Sequence, residues 1–226
     1  MAKVTKTKEE LRQQNVAEAV SKTESFFKEY GKILYGIVIG ILLIALAILA
    51  YNRFILQPKK QQALEQMVKA EQWFEGGEYE LALNGDDNYP GLLNVIDQYG
   101  SKAPKAANMY AGVALLRTGE YEQALTYLKQ YKGTDPIMMA RCLSCIGDCY
   151  VELQDYTTAV DWFTKAAKTT DNAFAAAYLL KAGIAAEAAG DNAKALSFYE
   201  QIKDQWANAP EAMEIDKYIS RIQTAK

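Results

Sequence analysis

A short turn recurs four times along this chain, and it constrains the fold more than any other feature of the sequence. The turns are Gly77-Glu78-Tyr79, Gly119-Glu120-Tyr121, Gln154-Asp155-Tyr156 and Gly190-Asp191-Asn192. An alanine follows each at a fixed distance (Ala82, Ala124, Ala159, Ala195), and a small residue stands twelve positions before each alanine (Ala70, Gly112, Gly147, Gly183). In the last three units a large side chain comes four positions after the alanine: Leu128, Phe163 and Tyr199. Self-similarity of this kind marks stacked supersecondary units, none of which buries its apolar face alone. The spacing predicts a helix-turn-helix in each unit, with the small residues letting its helices A and B touch and the large ones filling gaps between units.

The pattern resembles the tetratricopeptide repeat (TPR). That resemblance implies an all-α fold, a TPR helical-hairpin solenoid, over residues 57–226, with units at 63–99, 105–138, 140–174 and 176–209. Pro136 falls where the consensus ends helix B, because proline cannot continue a helix. The first unit departs after Leu83, where Asn84-Gly85-Asp86-Asp87-Asn88-Tyr89-Pro90 is a run of turn formers. A loop is expected there, then a fresh helix through Leu92, Leu93, Val95, Ile96 and Tyr99; the acidic run lacks the spacing and terminal Glu of a calcium loop. Residues 210–225 are expected to form a capping helix, with Met213, Ile219 and Ile222 covering the open face of the fourth unit. By consensus position, the concave groove of helix A residues is expected to include Met109, Arg117, Arg141, Asp148, Glu152 and Glu187. The alternative is that these side chains form an ordinary solvated face and partners dock on the loops or the convex surface.

Ahead of the repeats the chain changes character. Residues 33–51 read ILYGIVIGILLIALAILAY, nineteen residues without a charge, and the run extends past Asn52 and Arg53 to Leu56. At about 1.5 Å of rise per residue this matches a bilayer core, so a single transmembrane helix is expected over residues 33–56. Gly36 and Gly40 make a small-x-x-x-small pattern suited to close helix packing, although glycine is common in membrane helices in any case. Ala45-Leu46-Ala47 faintly resembles a signal cleavage site, but the charged segment before the run and the run itself are too long for a signal peptide. An uncleaved anchor is expected.

Residues 1–32 are expected to be a cytoplasmic amphipathic tail. Thr7-x-x-Glu10 is a capping-box pattern, and Val16, Val20, Phe27 and Tyr30 follow at helical spacing. Phe26 and Phe27 suit the membrane interface. The tail carries seven Lys/Arg against five Glu, whereas residues 53–226 carry eighteen against twenty-three Asp/Glu. The immediate flanks of the span balance (Lys22, Lys28, Lys32 against Arg53, Lys59, Lys60), so orientation rests on the short basic tail staying inside. That places the repeats in the periplasm of a bacterium, beyond its inner membrane.

Composition narrows the chemistry. The acidic repeat region shows no concentrated basic face, which argues against nucleic acid. Histidine is absent, which removes the commonest general base and metal ligand. No phosphate loop, nucleophile elbow or paired metal motif is present. No enzyme activity, small-molecule substrate, cofactor or metal is expected. Cys142, Cys145 and Cys149 lie at i, i+3 and i+7 on one helix face. One helix cannot supply four tetrahedral zinc ligands, and helical spacing is poor for a disulfide. They are expected to be small packing residues.

A heptad before the span, Phe26-Phe27-x-Glu29-x-Gly31-Lys32, together with the layout of tail, span and repeats, resembles the YfgM-like family of ancillary SecYEG translocon subunits. The resemblance implies a protein-binding scaffold beside the SecYEG translocon that links secreted polypeptides to periplasmic chaperones. A TPR scaffold in cell division or envelope assembly is the alternative.

Overall fold

The computed structural model describes residues 8–170, 172 and 174–224 and is 84% helical. It divides into two compact units, residues 1–58 and 59–226. Thr7 of the capping-box pattern and Ala225 of the expected capping helix lie outside the described residues, as does the side chain of Phe27.

The N-terminal unit is dominated by helix α1, Lys8–Tyr51, followed by a π-helical turn, Asn52–Leu56. Within it lies one apolar helical window long enough to cross a membrane, with a mean hydropathy of 3.0 and none of it buried. A soluble helix this apolar would hide its side chains; here Ile37, Ile41, Ile44 and Ile48 stand open. Exposed on all sides, such a surface is compatible with a membrane span. A Cβ built on Gly36 or Gly40 meets nothing within 4 Å, so the small-residue face is open as well. Phe26 and Tyr30 stack obliquely, with ring centroids 5.2 Å apart.

The second unit is a succession of antiparallel helix pairs. After α2 (Gln57–Glu75) come the short helices α3 (Tyr79–Asn84) and α4 (Leu92–Tyr99). The next three pairs are regular: α5 (Lys105–Thr118) with α6 (Tyr121–Gln130), α7 (Pro136–Glu152) with α8 (Tyr156–Thr169), and α9 (Phe174–Ala188) with α10 (Asn192–Gln205). A 3-10 turn, Pro210–Met213, and helix α11 (Ile215–Thr224) close the domain.

The spaced glycines explain why the pairs close. A Cβ on Gly112 would come within 2.5 Å of Leu128 Cγ, and one on Gly147 within 2.6 Å of Phe163 Cε1; a Cβ on Gly183 would collide with the ring of Tyr199. Leu128, Phe163 and Tyr199 are all buried. Each large side chain therefore presses on the bare backbone of its own hairpin. The spacing predicts these side chains between units; they meet the glycine of their own unit, and Leu128 and Phe163 share buried clusters with residues of the following unit as well. The turns work alike in all four pairs. Gly77, Gly119, Gln154 and Gly190 each adopt positive φ, from 59° to 89°, to reverse the chain. The next helix is then capped by Asp155, which accepts from Thr158 N at 3.2 Å, or Asp191, which accepts from Lys194 N at 3.0 Å.

Two further expectations change. Pro136 does not end helix B, which stops at Gln130; it opens α7 at the first helical position, where its missing N–H costs nothing, behind Asp135 as N-cap. At the C-terminus Met213 is 84% exposed and covers nothing. The 3-10 turn shifts the register, so Ile215 and Ile222 are the buried residues of the cap, with Ile219 packed partly beside them.

Candidate protein-binding groove

The inner face of α5, α7 and α9 encloses a groove of about 660 Å³. Counted from the glycine of each hairpin, the same register positions recur in its wall. Val113 and Asp148 follow their glycine directly, Leu116 and Val151 come three residues later, and Arg117 and Glu152 one residue after those. Repetition of the fold thus produces repetition of the surface. Ile137, Phe174 and Tyr178 add apolar area at one end, with Phe174 56% exposed.

Four of the six expected groove residues line this space: Arg117, Arg141, Asp148 and Glu152. The other two do not. Met109 is 2% exposed and belongs to the buried cluster that contains Met67, Ala70 and Trp73, so it is withdrawn from the groove. Glu187 is drawn away by the cap, accepting from Arg221 at 2.6 Å and from the Tyr199 hydroxyl. That pairing fixes α11 onto the last hairpin. Gly36 and Gly40 lie in the N-terminal unit, far along the chain.

Charge in the groove is unevenly satisfied. Lys181 spans from α9 to α7, donating to Asp148 at 2.8 Å and to the Ser144 hydroxyl at 3.2 Å. Glu152 accepts from the Tyr121 hydroxyl at 3.2 Å. Among the described residues, Arg117 and Arg141 have no ion-pair partner. The groove therefore offers two open guanidiniums beside an apolar wall, in a domain whose overall charge is negative. A guanidinium left open is a ready bidentate donor to a carboxylate.

The cysteines sit behind this surface. Burial pushes the thiols of Cys142 and Cys149 up to about 12, and the Cys142 thiol contacts the Leu128 carbonyl at 3.3 Å. Cys145 lines the groove, yet burial and then the Asp148 carboxylate push its thiol up to about 11, against the pull of Lys181, Arg141 and Arg117. A thiol so disposed is a packing group and a poor nucleophile near neutral pH.

Sequence reasoning picked out the charged groove residues but missed the apolar wall of Val113, Leu116, Ile137, Val151 and Phe174, and with it Lys181 and Tyr178. Lys181 stands two residues before Gly183, as Cys145 stands two before Gly147, so aligning the repeats on their glycines marks it. Tyr178 has no such signal, because its register equivalents in the two earlier units, Ala107 and Cys142, are buried.

The pattern of the family described as Tetratricopeptide repeat matches residues 92–136 and 146–210. No curated protein matches the chain. The matched segments contain three of the four turns, all three glycine-to-large-residue contacts, and Arg117, Asp148 and Glu152 of the groove. The repeat domain of this chain is a TPR solenoid, preceded by one helix long and apolar enough to span a membrane.

Proposed function

We propose that this chain is a membrane-anchored scaffold whose groove between α5, α7 and α9 holds a segment of a partner protein. The observation that carries this reading is the pair of unpartnered arginines, Arg117 and Arg141, beside exposed Phe174 and Ile137. The occupant that suits this lining is a polypeptide segment with an apolar side chain for the wall and an acidic one for the guanidiniums. An extended surface built by repeating one helix position binds an elongated ligand better than a compact one.

The chain crosses the bacterial inner membrane once through residues 33–56, with residues 1–32 in the cytoplasm and the repeats in the periplasm. It serves there as an accessory subunit of the SecYEG translocon, handing secreted polypeptides to periplasmic chaperones. Support comes from the exposed apolar helix, the basic tail and the heptad Phe26-Phe27-x-Glu29-x-Gly31-Lys32. Gly36 and Gly40 give the span a face on which a neighbouring transmembrane helix can pack.

Mild detergent extraction and co-purification test the pathway. Recovery of SecYEG with the chain is the expected result; its consistent absence, with cell-division or envelope-assembly proteins in its place, rejects the translocon role and keeps the scaffold. Protease treatment of spheroplasts tests the orientation, with digestion of the repeats expected and their protection contradicting it.

A further inference from the structure

At the start of the repeat domain a second, smaller cavity of about 260 Å³ is lined by Lys59, Gln62, Gln98, Tyr99 and Lys102. Lys59 and Gln62 come from the first turns of α2; Gln98 and Tyr99 end α4, and Lys102 lies in the 3-10 turn that follows. Every one of these side chains carries a hydrogen-bond donor, and no carboxylate lines the cavity. Among the described residues, neither lysine is ion-paired, and no side-chain hydrogen bond occupies Gln62, Gln98 or Tyr99. A concentration of unused donors in an acidic domain is what a multiply accepting anion requires. The volume suits a small head group better than a drug-sized ligand.

The chain itself says where such an anion comes from. Lys59 follows Leu56, the end of the apolar run, by three residues, which reach at most about 11 Å. If residues 33–56 span the bilayer, as proposed above, that reach keeps Lys59, at the edge of the cavity, within range of lipid head groups. We propose that it binds the phosphate of an anionic phospholipid, with Lys59 and Lys102 supplying charge and Gln62, Gln98 and Tyr99 donating to the remaining oxygens. Basic side chains close to a span are attracted to anionic lipid in this way. Bound lipid would tie α2 to the turn after α4 and so brace the hairpin that lacks the regular glycine contact.

The test uses the full chain in lipid nanodiscs, reading the acetylation rate of Lys102 by mass spectrometry. In discs containing phosphatidylglycerol, Lys102 is expected to react about fivefold more slowly than in discs of phosphatidylcholine alone, while exposed Lys132 keeps its rate. Lys59→Gln, at an exposed position, should return Lys102 to its faster rate. Equal Lys102 rates in the two lipids overturn the proposal, as does slowing that survives Lys59→Gln. Protection in phosphatidylcholine discs on adding glycerol phosphate alone would show a soluble phosphate site and overturn the lipid assignment. A chain that does not span a membrane would fail to enter the discs, an outcome distinct from loss of Lys102 protection.

Discussion

The first hairpin and the three that follow it solve the same packing problem by different means. In the later hairpins helix A carries a glycine and helix B runs ten to fourteen residues, long enough to lay Leu128, Phe163 or Tyr199 onto it. In the first, Ala70 takes the place of the glycine and helix B stops after six residues, at Asn84. The chain turns through a loop whose backbone closes on itself: a Cβ on Gly91 would collide with the Leu83 carbonyl, and Asp86 Oδ1 accepts from Asn88 N at 2.8 Å and Tyr89 N at 2.7 Å. Helix α4 then supplies the missing apolar volume through Leu92 and Val95, both fully buried. A TPR-like unit tolerates a broken second helix when a following helix delivers the same volume. The Asp86 carboxylate is spent on this turn.

This difference can be broken or sharpened by substitution. The largest expected effect is at Phe163, where truncation to Ala opens a cavity against Gly147 and should cost about 3 to 5 kcal/mol in urea unfolding. Gly147→Ala forces the ring from its place and should cost about 1 to 3 kcal/mol, but much less in a Phe163→Ala background, since the two occupy one space. The corresponding Ala70→Gly change in the first hairpin relieves no collision; it should destabilise by about 1 kcal/mol through lost helix propensity. Independence of Gly147 and Phe163 in the double-mutant cycle would remove the account of hairpin closure.

Smaller effects follow from the caps. Asp155→Ala and Asp191→Ala should each cost about 1 kcal/mol, whereas Glu78, which makes no side-chain cap bond, should lose less than about 0.5 kcal/mol on the same change. Gln154 holds a φ of 59° where the other turns use glycine, so Gln154→Gly should stabilise the domain by about 0.5 to 1 kcal/mol. A shifted melting temperature reads either change.

Stability should also fall in alkali. The thiols ionise near 9.0 when exposed, while burial holds Cys142 and Cys149 protonated up to about 12 and Cys145 up to about 11. Above the lower value the unfolded chain binds fewer protons than the folded one, so this stabilisation is complete below it and is lost as pH rises toward the folded values. A urea midpoint lower at about pH 10 than at pH 7 is expected, with the difference reduced when the three cysteines are replaced by alanine.

Much of this was legible in the sequence because repeats place equivalent residues in equivalent surroundings. Gly112, Gly147 and Gly183 could be paired with Leu128, Phe163 and Tyr199 by counting, and the turn formers after Leu83 marked the break in the first unit. What counting could not give was direction in three dimensions. Met109 lies on helix A with the groove residues but faces the core, because its side chain points to the flank where the preceding helices pack. Glu187 sits at the register position of Leu116 and Val151, yet the terminal helix offers it Arg221, a partner absent from the inner repeats. Pro136 and Met213 were misread for a related reason: a proline reads equally well as a stop or a start, and a short 3-10 turn moves every later side chain around the axis.

The central claim is that the groove of α5, α7 and α9 holds a partner segment while the chain sits in its membrane. Photo-crosslinking in native membranes, with the reactive group placed in turn at Glu152 in the groove and at exposed Gln123 on α6, addresses it directly. The account predicts a discrete adduct from position 152 that disappears with Arg117→Glu and Arg141→Glu, and none from position 123. Adducts from position 123 alone, or adducts from 152 indifferent to both arginines, would contradict it.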